Sequence, residues 1–355
     1  MKPFTEIYQQ LEILEARGLL INDKERAKEI LSRTNYYNLI NGYKDYFLQG
    51  GMSKEHYRQN VCFEDIYALY SFDYELRAIL LKYLLRFESN LKAKVSYRFS
   101  EAFNKPDAYL QPQNFDLESS NSRYIPALIA NISNIIKEKE HKKSSIRHYL
   151  KKHHHVPLWV LISYFTFGNT QYFFLCLKPK IKSVIAKDFS LEFQKDYELS
   201  NTKLMPEMIE AIIKAVNYFR NVCAHEERLY NFTLHKKARS TSLAKTLDIP
   251  SDLLKNGNVF TLISFLKLVT EKSLYEKLIS ELETLFDKYQ GEIFSISLRE
   301  IITEMGFPFN WKNLLIPPNK VTDPIKTPVI RKLGRSKNKY SLQRAYARKD
   351  KSLKK

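Results

Sequence analysis

The feature that most constrains this chain is the absence of Gly and Pro between Glu64 and Lys105. Across that run Ile66, Leu69, Asp73, Leu76, Leu80, Leu84, Phe87, Leu91 and Val95 recur at three- and four-residue intervals, the period of a helix that buries one face. The spacing predicts one long helix, or two end to end. Asp73 falls on the apolar stripe and Arg77 follows one turn later, where the two can form an ion pair. Two roles stay open for them: a structural salt bridge inside the bundle, or support beside a functional site.

Other segments carry helix signals too. Asn22-Asp23-Lys24-Glu25 supplies a capping side chain and a Glu three residues beyond Asn22, predicting a helix to about Arg33. Leu128, Ile129, Ile132 and Ile135 mark a helix from Ile125 to about His141. Pro206 suits a first helical turn, and Ile209, Ile212, Ile213, Val216, Phe219 and Cys223 follow as one stripe. Further helices are expected over Phe260–Val269, Ser273–Tyr289 and Ser297–Met305. With only 9 Gly against 23 Tyr and 22 Phe, tight hairpins are disfavoured and helix packing is well supplied. The expected class is all-α.

Between the first two segments, Asn35-Tyr36-Tyr37 to Gly42-Tyr43 reads as an aromatic corner ended by a glycine. The most apolar stretch, Val156 to Phe167, breaks at Gly168-Asn169-Thr170-Gln171 before resuming. It is shorter than the roughly 18 uninterrupted residues of a bilayer span, so it is expected in the core, and no membrane partner is expected. The three scattered cysteines, Cys62, Cys176 and Cys223, suggest neither a disulfide framework nor a zinc site. Residues Met1 to Glu15 lack a signal-peptide core, so a cytoplasmic location is expected.

The formal charge of +18 points to a polyanionic partner. From Pro317 to Lys355 there are 13 Lys or Arg against 2 Asp, which leaves +7 for everything upstream. That tail is either a solvated, disordered extension or an arm that grips nucleic acid. The expected division is a helical N-terminal region (1–60), a main helical domain with C-terminal helices (61–316) and the basic tail (317–355). Three consecutive histidines, His153, His154 and His155, cannot all face one ion from a regular element; they read as a solvated basic turn open to RNA. No metal or cofactor is expected. DNA binding has only the charge in its favour.

The chemistry is carried by Arg220-Asn221-Val222-Cys223-Ala224-His225. On a helical wheel Arg220 lies in the apolar stripe near Val216, while His225 projects roughly 140° away. A buried arginine requires an anion, either a carboxylate of the fold or an arriving phosphate. The angular gap implies that the helix ends within the motif, that a second copy completes the site, or both. Cys223 is expected in the core rather than as a nucleophile. Glu226 and Glu227 read as a solvated face. Arg228 either holds RNA or pairs with an acid, and Tyr230 and Asn231 read as packing and termination residues.

The longer string from Arg220 to Asn231 resembles the HEPN ribonuclease motif, and more closely its version in the Abi-like family of abortive-infection proteins of the AbiD/AbiF kind. The resemblance extends through the Asn35 to Tyr43 corner, Tyr70 to Arg77, Phe87-Glu88, Pro157 to Val160 and Thr166 to Gly168. It ends at Met305 to Pro308 with Trp311, so roughly residues 4 to 316 are covered. Ser163 departs from the pattern, which carries Glu there. The resemblance implies an HEPN-like helical bundle with additional N- and C-terminal helices. It also implies a homodimer and an RNA-cleaving toxin of anti-phage defence, with a link to structured non-coding RNA.

Chemistry agrees with that implication. RNA supplies its own nucleophile, the 2′-hydroxyl, so cleavage needs proton transfer and charge stabilisation but no metal. Histidine as a residue type exchanges protons near neutrality, which suits His225 for the transfer. Arg220 can clamp phosphate oxygens, and Asn221 either positions one of them or is structural. Asp73, Arg77 and Arg228 are candidates for RNA binding or support. The competing reading is a non-catalytic protein that holds a structured non-coding RNA.

Overall fold

In the computed structural model, residues 4–50, 55–199, 201–234 and 241–316 are described. Two helices, α1 (Ile7–Ala16) and α2 (Lys24–Arg33), precede the Gly- and Pro-free run, which forms one continuous helix, α3 (Phe63–Ala102). At 1.5 Å per residue α3 is about 60 Å long. All nine residues of its predicted stripe are buried, Asp73 included. Each fully buried Leu or Phe contributes roughly 1.5–3 kcal/mol relative to exposure, so the stripe alone fixes which face of α3 points inward.

Asp65 secures the start of α3. Its carboxylate accepts the Cys62 N–H at 3.0 Å, satisfying a helix-terminal donor, and also the Phe294 N–H at 2.7 Å, which ties the C-terminal region to the same point. Beyond α3 come α4 (Ile125–Glu140), α5 (Ser145–His153), α6 (Leu158–Leu161), α7 (Phe167–Cys176), α8 (Pro179–Tyr197) and α9 (Pro206–Ala224). The C-terminal set is α10 (Thr241–Leu247), α11 (Ser251–Leu254), α12 (Val259–Leu266), α13 (Lys272–Tyr289), α14 (Leu298–Glu304) and α15 (Trp311–Leu315). Helices α8, α9 and α13 pack along α3, and α7 and α12 pack on α9. The fold is all-α: among the described residues there is no strand, and the extended contacts are isolated bridges. No helix among them is long and apolar enough to cross a membrane.

Several local expectations change. Asp23, not Asn22, caps α2, accepting the Arg26 N–H at 2.9 Å, while Asn22 is spent on Glu64. The polar run Gly168 to Gln171 that interrupts the apolar stretch forms the first turns of α7, started by Thr166 Oγ1 accepting the Asn169 N–H at 3.1 Å. His154, at φ +63°, terminates α5, so the histidine triplet is a helix end. Among the described residues no group of three or more His, Cys, Asp or Glu is placed to hold a metal ion. The basic tail lies outside the described residues.

Candidate active site

Helix α9 ends inside the motif. The His225 N–H bonds the Asn221 carbonyl at 2.9 Å, Glu226 turns left-handed at φ +56°, and the Glu227 N–H returns to the Val222 carbonyl at 3.1 Å. That closes the helix in the way a C-terminal glycine usually does. A non-glycine residue in this conformation costs on the order of 1 kcal/mol, so the turn must be held by its surroundings.

The holding groups come from α3 and the aromatic corner. Asp73 accepts the Leu229 N–H at 3.0 Å, the Tyr230 N–H at 2.7 Å and the Tyr43 hydroxyl at 2.7 Å, and it pairs with Arg77. Arg77 donates in turn to the Glu227 carbonyl at 3.2 Å and to Tyr43 at 3.1 Å. Arg228 donates to the Gly42 carbonyl and lies 3.5 Å from Asp45. Asp73 and Arg77 are buried, and the partners of their hydrogen bonds are the turn, the Tyr43 hydroxyl and each other. The aromatic corner joins the same assembly, with the Tyr43 and Tyr230 rings 5.8 Å apart. Gly42 adopts an ordinary helical φ of −72°, and its contribution is its carbonyl, not a glycine-only conformation.

Arg220 finds a carboxylate of the fold. Its Nε stands 3.8 Å from Glu88 Oε2 on α3, beyond hydrogen-bond distance, and neither atom has another partner among the described residues. The other Glu88 oxygen accepts from Lys92 at 2.7 Å, and Lys92 also donates to the Phe165 carbonyl at 2.6 Å. The Arg220 side chain is 29% exposed, so the guanidinium reaches solvent beyond its buried Nε. With Arg220 opposite Glu88 and the 227–230 turn opposite Asp73 and Arg77, α3 and α9 run antiparallel.

Asn221 and His225 are exposed. Cys223 is buried beside Asp73 and Arg77, and burial pushes its thiol up to about 12, which leaves it a core residue. Sequence reasoning did not single out Glu88 as the partner of Arg220, nor Lys92 or Tyr43 as members of these networks. A cavity of about 950 Å³ opens between α3 and the α6 region, lined by Glu88, Lys92, Ser163 and the 60%-exposed Trp159. Ser163, whose hydroxyl donates to the Val160 carbonyl at 2.7 Å, therefore shares a wall with the partner of Arg220.

The fold and site together define an all-α protein in which one long helix organises a motif-bearing helix end. The family pattern described as Abi-like protein matches residues 29–231, which contain that helix, the aromatic corner and the whole motif. The chain belongs to the Abi-like protein family, and membership implies a role in abortive infection, a defence response. Neither curated proteins nor solved structures gave a match.

Proposed function

We propose that this chain is an endoribonuclease of anti-phage defence, cutting RNA by attack of the strand's own 2′-hydroxyl, with two copies of the chain completing each site. The observation that carries the reading is the state of Arg220: its guanidinium reaches solvent, loosely faced by Glu88, while His225 ends the same helix in the open. A guanidinium in that state can accept a phosphate without first breaking a hydrogen bond.

In this reaction the 2′-oxygen loses its proton to a base, the O2′–P bond forms and the P–O5′ bond breaks. The leaving O5′ is protonated, giving a 2′,3′-cyclic phosphate and a free 5′-hydroxyl. His225 moves a proton, Arg220 stabilises the charge growing on the phosphoryl oxygens, and Asn221 orients the phosphate from the exposed face. Asp73, Arg77 and Arg228 are positioning residues that hold the turn after His225.

The test is cleavage of RNA by the full chain in EDTA, with the ends of the products mapped. Arg220→Ala and His225→Ala are expected to lose about 100-fold or more in rate while still binding RNA, and to lose any toxicity to growing cells. A strict magnesium requirement overturns the mechanism. Wild-type chain that binds RNA but never cuts it points instead to a protein that holds a structured RNA, the reading the +18 charge also favours.

A further inference from the structure

The exposed side of α9 continues away from His225 towards a polar groove that the chemistry above does not use. At about 100° per residue, Lys214, Tyr218 and Asn221 fall within roughly 60° of one another, and His225 lies on the same side. All four are exposed. Along the helix the stripe runs about 16 Å from Lys214 to His225.

At its Lys214 end the stripe forms one wall of a cavity of about 630 Å³, whose other walls come from α7 and the turn before α4. The groove combines cations with aromatic faces. Tyr218 and Tyr172 are 47% and 42% exposed, and both line it. Arg123 also lines it, with its guanidinium 4.8 Å from the Tyr124 ring centroid and Nη2 donating to the Tyr124 hydroxyl at 2.8 Å. The Tyr124 and Tyr172 rings are 5.0 Å apart. Two carboxylates face the groove as well, but Glu210 is neutralised by Lys182 at 2.7 Å, leaving Glu207 against Arg123 and Lys214. In the wall, Gln171 Oε1 is buried without a hydrogen-bond partner, an acceptor suited to a donor that arrives with a ligand.

Exposed aromatic rings interleaved with cations suit single-stranded nucleic acid, whose bases stack on rings while its phosphates meet Lys and Arg. A double helix presents no free base faces to such rings. We infer that this groove is the subsite for single-stranded RNA flanking the scissile phosphate, with bases on Tyr218 and Tyr172 and backbone phosphates on Lys214 and Arg123. The inference rests on the ribonuclease reading for its link to His225, but the binding it describes can be measured without cleavage.

The experiment measures binding of a fluorescent, unstructured oligoribonucleotide of about twelve nucleotides to full-length chain carrying His225→Ala, across a salt series. Adding Tyr218→Ala is expected to weaken affinity about fivefold or more, whereas Tyr218→Phe, which keeps the ring, retains it. Adding Lys214→Ala is expected to flatten the dependence of log affinity on log salt by about 0.7. Unchanged affinity in both alanine variants overturns the groove, even if wild-type chain cuts RNA and the ribonuclease reading stands. Weakened binding in both, with a wild-type chain that cuts nothing, upholds the groove as an RNA site and removes the ribonuclease reading instead.

Discussion

Glu88 Oε2 stands 3.8 Å from Arg220 Nε, opposite in charge and too far for a hydrogen bond, while the other Glu88 oxygen is engaged by Lys92. This separation keeps Arg220 directed without occupying it. Glu88→Gln preserves the shape, removes the charge that directs the guanidinium, and leaves Lys92 its bond to the Phe165 carbonyl. On the ribonuclease reading kcat is expected to fall about tenfold with KM nearly unchanged, because the interaction lost is one that serves the transition state. Unaltered kcat would remove Glu88 from any positioning role.

Asp73 is the point on which the turn after the motif hangs. Its two oxygens accept from two backbone N–H groups, a tyrosine hydroxyl and Arg77, none of which has room for the amide hydrogens of an asparagine. Asp73→Asn is expected to cost about 3–5 kcal/mol, the usual penalty for breaking a buried charged pair. Denaturant unfolding of the variant against the parent measures it. A loss below about 1 kcal/mol would mean that the network is not what holds the turn.

Much of this architecture was legible in the sequence, and the limits have physical causes. The stripe of α3 and that of α9 were readable because helical period is a local property, and both are buried as the spacing requires. The sequence reading leaves out α8, although Ile181, Ile185, Phe189 and Phe193 step by four residues and are all buried. That Arg220 would face an anion was also readable from its place on the apolar stripe, although only its Nε is buried and the rest of the guanidinium reaches solvent. That the anion is Glu88 was not, because 132 positions separate them and only the antiparallel pairing of α3 with α9 brings them together. The same holds for Arg228 and Gly42, joined across 186 positions.

Two of the three glycines in the family-like motifs, Gly306 and Gly42, differ in kind. Gly306, at φ +91°, lies against the buried side chain of Asn258, which caps α12 by accepting the Thr261 N–H at 3.2 Å. A Cβ at 306 would overlap that amide, so Gly306→Ala combines backbone strain with a clash and is expected to cost about 3 kcal/mol. Gly42 has open space around its Cβ position and an ordinary φ, so Gly42→Ala is expected within about 0.5 kcal/mol of the parent. Melting temperatures of the two variants check the contrast, and equal effects would contradict it.

Lys267 caps α12 with a 7%-exposed side chain, and burial alone lowers its ammonium to about 8 from an ordinary 10.5. The unfolded chain therefore binds more protons between pH 8 and 10.5, and this residue makes stability rise with pH across that window. Below pH 8 the folded chain bears the full cost of the buried charge, at most on the order of 3 kcal/mol. Lys267→Met is expected to be more stable than the parent at pH 7, with the advantage shrinking by pH 9.5. Taking the difference between variant and parent separates the lysine from the buried tyrosines, which titrate from about pH 10 upwards when unfolded. A variant less stable than the parent at pH 7 would show that the ammonium's contact with the Tyr197 ring, 5.6 Å from its centroid, outweighs the cost of burial.

The divergence of Arg220 and His225 around α9 bears on how many chains make one site. The helix ends only at Ala224, and the backbone N–H of His225 still bonds the Asn221 carbonyl, so the termination does little to swing His225 towards Arg220. Two copies related by a two-fold axis would place the arginine of one beside the histidine of the other. Mixing Arg220→Ala chains with His225→Ala chains distinguishes the arrangements. If each site takes one residue from each chain, a mixed dimer holds one intact site and one doubly defective site. Random pairing then restores about a quarter of wild-type cleavage from two inactive proteins. If each chain carries its own complete site, every site in the mixture lacks one residue and no activity returns, which would rule out a site shared between copies.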